Sequence, residues 1–376
     1  MNKTMLRIAS GLAVTVAVFC GYSAWAANAR ADIAKTTAAA QTQAIVTATT
    51  AFLNSLDADQ RAKVQFPSPP QKTATAAKFK GGMNGRMTFV GEQYGQAVWS
   101  NYPVSDVPRP GVRLGGLSVA QRDAALHLLQ VLLSPKGYQK VIDIMGSDQA
   151  LSDSGTQFSS GTGYYTIGIF GSPSATTPWM LEFGGHHLGL NITIAGKHGA
   201  ITPTLTGAQP ALYTSNGKTV RVLAEESDKA FTLLNSLDAT QRKQAILNYR
   251  VEDLVLGPGH AGETIQPEGL KASALNERQR AMLLDVISEW AGIVNGAYAV
   301  PRMTEIESGI DDTYFAWSGP TTHEPGKNGS AYYRIQGPKL VIEFSPQGVG
   351  GDLTMHVHTM YRDPTNDYGT NLVAAQ

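Results

Sequence analysis

The sequence is poor in cysteine and has no excess charge. It contains one cysteine, Cys20, and its 30 Lys and Arg residues balance 30 Asp and Glu residues among 376. Because Cys20 lies in a segment that we expect to be removed, the mature chain is predicted to have no disulfide, thiolate metal ligand or cysteine nucleophile. The balanced charge gives no electrostatic footprint for nucleic acid, so no nucleic-acid partner is expected.

Long apolar runs are also missing, apart from one near the amino terminus. A lysine and an arginine precede the apolar residues 8–19, and Ala24 and Ala26 place small residues where a signal peptidase cleaves. This order predicts a signal peptide over residues 1–26. The apolar run is shorter than the roughly 20 residues that cross a bilayer.

Other outcomes at this terminus are cleavage after Ala29 or Ala31, or an uncleaved anchor. Cleavage after Ala26 is the prediction. It implies a periplasmic or secreted protein with no stable membrane span after processing.

Familiar catalytic motifs are absent as well. The sequence has no Gly-x-Ser-x-Gly, no His-Glu-x-x-His and no phosphate-binding loop. Residues 257–262 match Gly-x-Gly-x-x-Gly, but Pro258 stiffens this stretch and Pro267 argues against the helix that a dinucleotide site requires. We interpret it as a loop.

Two sequence blocks occur twice. Asn-Ser-Leu-Asp-x-x-Gln-Arg starts at Asn54 and again at Asn235, and Leu-[Ser/Asn]-x-x-Gln-Arg starts at Leu117 and again at Leu275. The second block opens an apolar-periodic stretch in each case, as expected for a helix start. The alternative is that common helix starts resemble one another.

A looser third pair, Tyr-Tyr-x-Ile, begins at Tyr164 and at Tyr332, and each leads to an apolar stretch and then to a histidine pair. The three pairs predict two pseudo-symmetric repeated halves, residues 27–210 and 211–376. In each half the pattern indicates helices followed by antiparallel strands, an α+β fold. Residues 67–80 and 196–218 are predicted to be linkers or exposed loops.

Four of the eight histidines form two tight clusters. His356 and His358 lie in an alternating strand pattern, so their side chains are expected on one face. His186 and His187 follow two glycines, which allow a tight turn or a bulge. Other interpretations are an exposed polar strand face for the first pair and a solvated turn for the second.

Together these histidines supply at least three imidazoles for one divalent transition metal, Zn, Cu, Mn or Fe, with an open position for water or substrate. Possible carboxylate ligands or neighbours are Glu182, Glu343, Arg362, Asp363 and Asp367. Aromatic residues that could line a pocket are Tyr165, Tyr314, Trp317 and Tyr333.

Several stretches resemble an uncharacterised family of secreted bacterial proteins, the domain of unknown function 3500. They are EFGGHHLGLN (182–191), NSLD with QR (235–242), YYRIQGP (332–338), and HVH with RDPTNDYG (356–369). The resemblance implies a secreted or periplasmic protein. It implies no activity, because the family has none assigned.

The residues leave open whether the protein is an enzyme. One hypothesis is an exported, metal-dependent hydrolase or oxidoreductase with its site between the two halves. The alternative is a non-catalytic periplasmic or extracellular protein that binds a small ligand, anionic or carbohydrate-like, through histidine, arginine and aromatic side chains. A third is that the histidines are hydrogen-bonded core groups. Imidazole nitrogens of His358 and of His186 or His187 within about 5 Å of each other would favour the metal.

Overall fold

The computed structural model describes residues 37–69, 73–82 and 85–374. The predicted signal peptide, including Cys20, lies outside these residues. The described helices are α1 (Ala38–Ser55), α2 (Ala58–Val64), α3 (Val119–Leu132), α4 (Pro135–Asp153), α5 (Ala224–Ser236), α6 (Ala239–Ala245), α7 (Glu277–Ala291), α8 (Gly296–Ser308) and α9 (Thr370–Ala374).

The strands of the amino-terminal part are β1 (Gln65–Phe66), β2 (Thr75–Gly81), β3 (Met87–Tyr94), β4 (Ala97–Trp99), β5 (Val112–Arg113), β6 (Thr166–Phe170), β7 (Trp179–Gly185), β8 (Leu188–Ala195) and β9 (His198–Ala208). Those that follow are β10 (Leu212–Ser215), β11 (Lys218–Arg221), β12 (Leu270–Lys271), β13 (Tyr314–Ser318), β14 (Tyr332–Gly337), β15 (Leu340–Pro346) and β16 (Val357–Arg362). The predicted mixture of helices and mainly antiparallel strands is confirmed.

Helices α2 and α3 begin with capping boxes that are joined to each other. Asp57 and Gln60 cap the start of α2, and Ser118 and Gln121 cap the start of α3. The side-chain amides of Gln60 and Gln121 also bond to each other in both directions, at 3.3 and 2.8 Å. Local capping therefore fixes how the two helix starts meet.

The same arrangement occurs at the starts of α6 and α7. Asp238 and Gln241 form one capping box, and Asn276 and Gln279 form the other. Gln241 and Gln279 bond to each other at 3.0 and 2.9 Å. The first two repeated blocks of the sequence thus have the same local structure.

Eleven strands form one sheet, in the order β1-β6-β7-β8-β9-β16-β15-β14-β13-β12, with β5 also paired to β6. Strands β9 and β16 pair antiparallel in the middle of this order. Thr206 lies opposite Thr359 there, and their hydroxyl oxygens are 2.6 Å apart.

The third repeated block does not occupy matching places in this sheet. Tyr165 directly precedes β6, the third strand outward from β9, whereas Tyr332 and Tyr333 begin β14, the second strand outward from β16. The two Tyr-Tyr-x-Ile blocks therefore resemble each other in strand composition and do not occupy equivalent positions in the sheet.

The prediction of a linker over residues 196–218 was wrong. This stretch contains β9, which is buried from Ile201 to Ala208. It escaped recognition because Gly199, Pro203 and Gly207 interrupt it, and glycine and proline are depleted in strands. Residues 67–80 likewise include most of β2.

The two faces of the sheet are covered differently. Alternate residues such as Leu190 on β8 and Ile342 on β15 share a large apolar core with α1, α3, α5 and α7. On the other face, Trp99 of β4 packs with Leu205, Met360 and Leu256. The short sheet β2-β3-β4 and the segment around Leu256 therefore cover the side away from these helices. Among the helices described, none is long and apolar enough to cross a membrane.

Candidate metal centre

The turn between β7 and β8 carries the first histidine pair. His187 adopts a left-handed backbone conformation with φ 61°, which is uncommon for a residue with a side chain. The Tyr165 hydroxyl donates to the His186 carbonyl at 2.8 Å, and the His187 N–H donates to the Asn101 carbonyl at 3.0 Å. The surroundings therefore hold His187 in a conformation that costs free energy, as is common at functional sites.

Three histidines from distant parts of the chain converge beside this turn. The Nε2 atoms of His187 and His356 are 3.0 Å apart, and those of His356 and His358 are 3.1 Å apart. One ligand atom from each of the three lies within 4.8 Å of the others, and all three side chains are buried. These three histidines can therefore hold a metal ion.

The spacing is close to what one ion requires. Two nitrogens bound tetrahedrally at about 2.0–2.1 Å from zinc lie roughly 3.3 Å apart, so the separations of 3.0 and 3.1 Å need only small adjustment, while His187 and His358, within 4.8 Å of each other, would have to approach. Strand β16 and the residue before it position two of the three candidate ligands, because His356 directly precedes the strand and His358, two residues on, points to the same side.

Glycine makes room for the third ligand. A Cβ atom at Gly207, opposite His358 on β9, would lie 3.2 Å from the His187 ring and 2.7 Å from the Val357 carbonyl oxygen. A larger residue would therefore displace His187 or the edge of β16.

Burial favours the neutral imidazole at His187 and His356. It lowers the pKa of His187 well below its usual value, and the neighbouring histidines lower it further. Burial and the charge of His358 lower the pKa of His356 to about 3. Neutral imidazole is the form that coordinates metal, so these histidines need not lose protons to bind one at neutral pH.

The Nδ1 atoms of the three histidines, which point away from the convergence of the Nε2 atoms, differ in their hydrogen-bond partners. His356 Nδ1 lies 3.0 Å from the Val349 carbonyl oxygen, which fixes the tautomer with a lone pair on Nε2. The buried Nδ1 atoms of His187 and His358 have no hydrogen-bond partner within the described part of the chain. The nearest acidic group to His358 Nδ1 is Asp253, whose Oδ1 is 3.9 Å away on a largely exposed side chain.

His186, the fourth predicted ligand, faces another partner. Its ring stacks on His187 with centroids 3.7 Å apart, and its Nδ1 bonds to Asp148 Oδ1 at 2.8 Å. Asp148 is held in turn by the Gly161 N–H at 2.8 Å. His186 thus lies beside the three-histidine cluster and outside it.

The predicted carboxylates Glu182 and Glu343 bind backbone groups on the sheet face away from the main helices. Glu182 Oε2 accepts from the Val98 N–H at 3.0 Å, and Glu343 accepts from Val255 and Leu256 at 2.8 to 3.1 Å. Burial raises the pKa of Glu182 to about 8, although Arg109 and the Val98 N–H act in the opposite direction. Both carboxyls anchor the segments that cover this face.

The predicted group at the end of β16 forms ion pairs of its own. Arg362 donates to Asp367 at 2.8 Å and to Glu92 at 2.9 Å, all three being buried. Asp363 pairs with Arg302 at 2.9 Å. These residues lie at the opposite end of the strand from His356 and His358.

The predicted pocket aromatics are placed mainly in the core. Trp317 stacks on Tyr333 with centroids 5.9 Å apart, and Tyr314 is half-buried with Lys271 over its ring. Tyr165, in contrast, supports the histidine turn. The structure therefore brings one of the four to the cluster.

Sequence reasoning missed four residues at the site: Arg109, Asp148, Asp253 and Gly207. Arg109 is buried and donates to the carbonyls of Ser100, Tyr102 and Gly185 at 2.7, 2.6 and 3.2 Å, which ties the turn to the preceding segment. Asp148 carried a readable signal, because it falls on the apolar stripe of α4 and a charge there must be paired.

The family model described as Protein of unknown function (DUF3500) matches residues 38–370. The comparisons with curated proteins and with solved structures gave no match. Since the family match covers nearly the whole chain, the predicted resemblance is confirmed: the chain belongs to the family of proteins of unknown function DUF3500.

Proposed function

We propose that His187, His356 and His358 bind one divalent transition metal, and that the protein is an exported metal-dependent enzyme. The observation that carries the proposal is the convergence of three buried imidazole nitrogens within 4.8 Å. Three protein ligands with an open fourth position are typical of catalytic zinc sites, whereas structural sites are closed by four.

The converging nitrogens argue against a purely structural role. Without an ion, the Nε2 lone pair of His356 faces two other Nε2 atoms, so two neighbouring rings share one acceptor. Buried polar atoms left in this state cost free energy. An ion at the point of convergence would use all three Nε2 lone pairs.

Hydrolysis is the chemistry that the ligand set supports best. Three neutral imidazoles leave the full double charge on the ion, so it would lower the pKa of a bound water strongly and polarise a carbonyl oxygen. Within the chain, the Val349 carbonyl orients His356, while Tyr165 and Asn101 hold the turn that carries His187. Copper or iron in place of zinc would instead favour an oxidoreductase.

The proposal includes the location and the internal repeat. The signal-like residues 1–26 support export to the periplasm or the exterior. The two sets of paired capping glutamines and the mirrored strand order about β9 and β16 support a duplication, with halves at 27–210 and 211–376. The centre would then lie between the halves, since His187 belongs to the first and His356 and His358 to the second.

Metal content tests the proposal. The mature protein, purified without a histidine tag from its native compartment, is expected to contain about one equivalent of a transition metal. His358→Ala should lose it, because two imidazoles remain. The control His260→Ala should retain it, because His260 is exposed and pairs with Glu263.

Absence of metal from the wild-type protein after supplementation would contradict the proposal. The search would then turn to a non-catalytic protein that binds a small ligand.

A further inference from the structure

One nitrogen of His358 has no acceptor for its proton. The Nδ1 atom is buried and has no hydrogen-bond partner within the described part of the chain. A neutral imidazole that binds a metal through Nε2 must keep its proton on Nδ1. Histidines bound to metals almost always donate that proton to a carboxylate, a carbonyl or water, because this bond fixes the tautomer and the orientation of the ring. A metal on His358 therefore requires an acceptor near Nδ1.

The Asp253 carboxylate lies in front of this nitrogen. Its Oδ1 atom is 3.9 Å from His358 Nδ1, about 1 Å longer than a hydrogen bond. The Leu254 N–H donates to the same oxygen at 2.7 Å and keeps the carboxylate close to the backbone. Because the Asp253 side chain is 59 % exposed, no core packing opposes the small rotation that closes the gap.

Gln347 attaches Asp253 to the strands that carry the histidines. Its Nε2 atom donates to Asp253 Oδ1 at 2.9 Å and also reaches the Ser345 hydroxyl oxygen at 3.2 Å. Its N–H donates to the His356 carbonyl at 2.8 Å. Ser345 lies directly opposite His358 in the pairing of β15 with β16. The carboxylate is thus held beside the ring by the same strands that position the ring.

The other two histidines depend on different groups. His356 Nδ1 already has an acceptor in the Val349 carbonyl oxygen at 3.0 Å. The buried Nδ1 atom of His187 has no partner among the described residues. Asp253 contacts the Nδ1 side of His358, whereas the ion would bind Nε2, so the carboxylate acts through one imidazole and not as a ligand. Its loss should therefore weaken metal binding without abolishing it.

We infer that Asp253 is a positioning residue of the metal centre: its carboxylate accepts a hydrogen bond from Nδ1–H of His358 and so presents the Nε2 lone pair to the ion. The inference rests on the proposed function and names a residue that sets the affinity of that site for its metal.

Zinc affinity tests the assignment. Competition with a fluorescent zinc chelator measures the dissociation constants of the mature wild-type protein and its variants. Asp253→Ala should weaken zinc binding about 10- to 100-fold, as the loss of such a partner typically does. Asp253→Asn should lose less, because its amide oxygen still accepts from Nδ1–H. The matched control Glu252→Ala removes the neighbouring carboxylate, which is exposed and 3.9 Å from Arg250, and should leave the dissociation constant unchanged.

The His358 proton gives a second readout, which a general loss of stability would not change. In the zinc-loaded wild type with ¹⁵N-labelled histidine, NMR should show a proton on His358 Nδ1 that exchanges slowly with water. Asp253→Ala should accelerate this exchange. The Nδ1–H of His356 should keep its exchange rate in the same variant, because the Val349 carbonyl accepts its hydrogen bond.

Three outcomes would contradict the inference. Equal zinc affinities of Asp253→Ala and Glu252→Ala, or unchanged exchange of the His358 proton, would overturn it and leave the proposed function intact. Complete loss of zinc from Asp253→Ala, as expected for His358→Ala, would overturn it as well, because Asp253 would then be a ligand. Failure of the wild type to bind zinc or another transition metal would overturn both.

Discussion

Strand β16 carries buried polar side chains at both ends, and the two ends satisfy them differently. At the carboxyl end of β16, the Arg362 guanidinium donates to Asp367, to Glu92 and to the carbonyls of Leu256 and Gly257. Each nitrogen of the guanidinium therefore has a partner. At the start, His358 and the neighbouring His187 each keep one buried nitrogen without any partner in the described chain.

The difference distinguishes a fully paired network from the candidate metal centre. A fully paired network stabilises a single arrangement, because any change leaves a buried charge exposed to apolar surroundings. At the other end, two buried Nδ1 atoms lack a partner, and the three Nε2 atoms that converge on one point leave capacity for a group that the chain does not supply. The segment 356–369, rich in His, Arg and Asp, thus contains one region in which the buried polar atoms are paired and one in which some are not.

The largest expected effect comes from breaking the paired end. Arg362→Met should lower the free energy of unfolding by about 3–5 kcal/mol, since Glu92 and Asp367 would remain buried without their cation. Denaturant unfolding of the metal-free protein measures this. The control Arg250→Met should change stability by less than about 1 kcal/mol, because Arg250 is exposed and its nearest carboxylate is 3.9 Å away. Similar losses in the two variants would contradict the comparison.

The next largest effect is expected at the histidine cluster, at the start of β16. Zinc at about 100 times its dissociation constant should raise the free energy of unfolding by about 2.7 kcal/mol, because it binds the folded state. Thermal unfolding with and without zinc measures the gain. His358→Ala should show none, and the metal-free variant should be close to the wild type in stability. A gain of equal size in His358→Ala would place the zinc elsewhere.

A smaller effect on the free energy of unfolding is expected at Glu182. Its Oε2 atom is hydrogen-bonded, whereas its Oε1 atom is buried without a partner in the described residues. Burial raises its pKa from 4.5 to about 8. The folded protein thus holds a proton that the unfolded chain releases, so stability falls as pH rises through this window, by at most about 1.4 kcal/mol per unit.

Unfolding measured from about pH 5 to about pH 9 should show this slope in the wild type and its loss in Glu182→Gln. The variant should therefore be the more stable protein at the alkaline end. The exposed Glu252→Gln is the control and should keep the wild-type slope. An unchanged slope in Glu182→Gln would show that other groups cause the pH dependence.

Local features of the fold were predictable from the sequence. The helix starts at Ser118 and Asn276 were predicted, because a cap depends on residues within one helical turn. The α+β class followed from the change of apolar period. Strand β9 was missed because its burial comes from its place in the sheet, which its Gly- and Pro-containing sequence does not reveal.

The site was predictable only where it depends on neighbouring residues. Alternation within a strand placed His356 and His358 on one side, and two glycines before His186 indicated a turn. His186 faces Asp148 and does not join the cluster. Asp148 lies on α4 and meets His186 only in the folded chain, so the sequence did not reveal this pairing. Asp253 and Arg109 likewise lie far along the chain from the histidines that they adjoin.

The central pairing of β9 with β16 also sets when the metal centre can assemble. His187 and His356 are separated by 169 residues, so the contact that joins them closes a long loop of the chain. Contacts of such long range form slowly, after local helices and hairpins. Synthesis must therefore pass His358 before the three imidazoles can meet, and the proposed ion could bind only after β9 and β16 have paired.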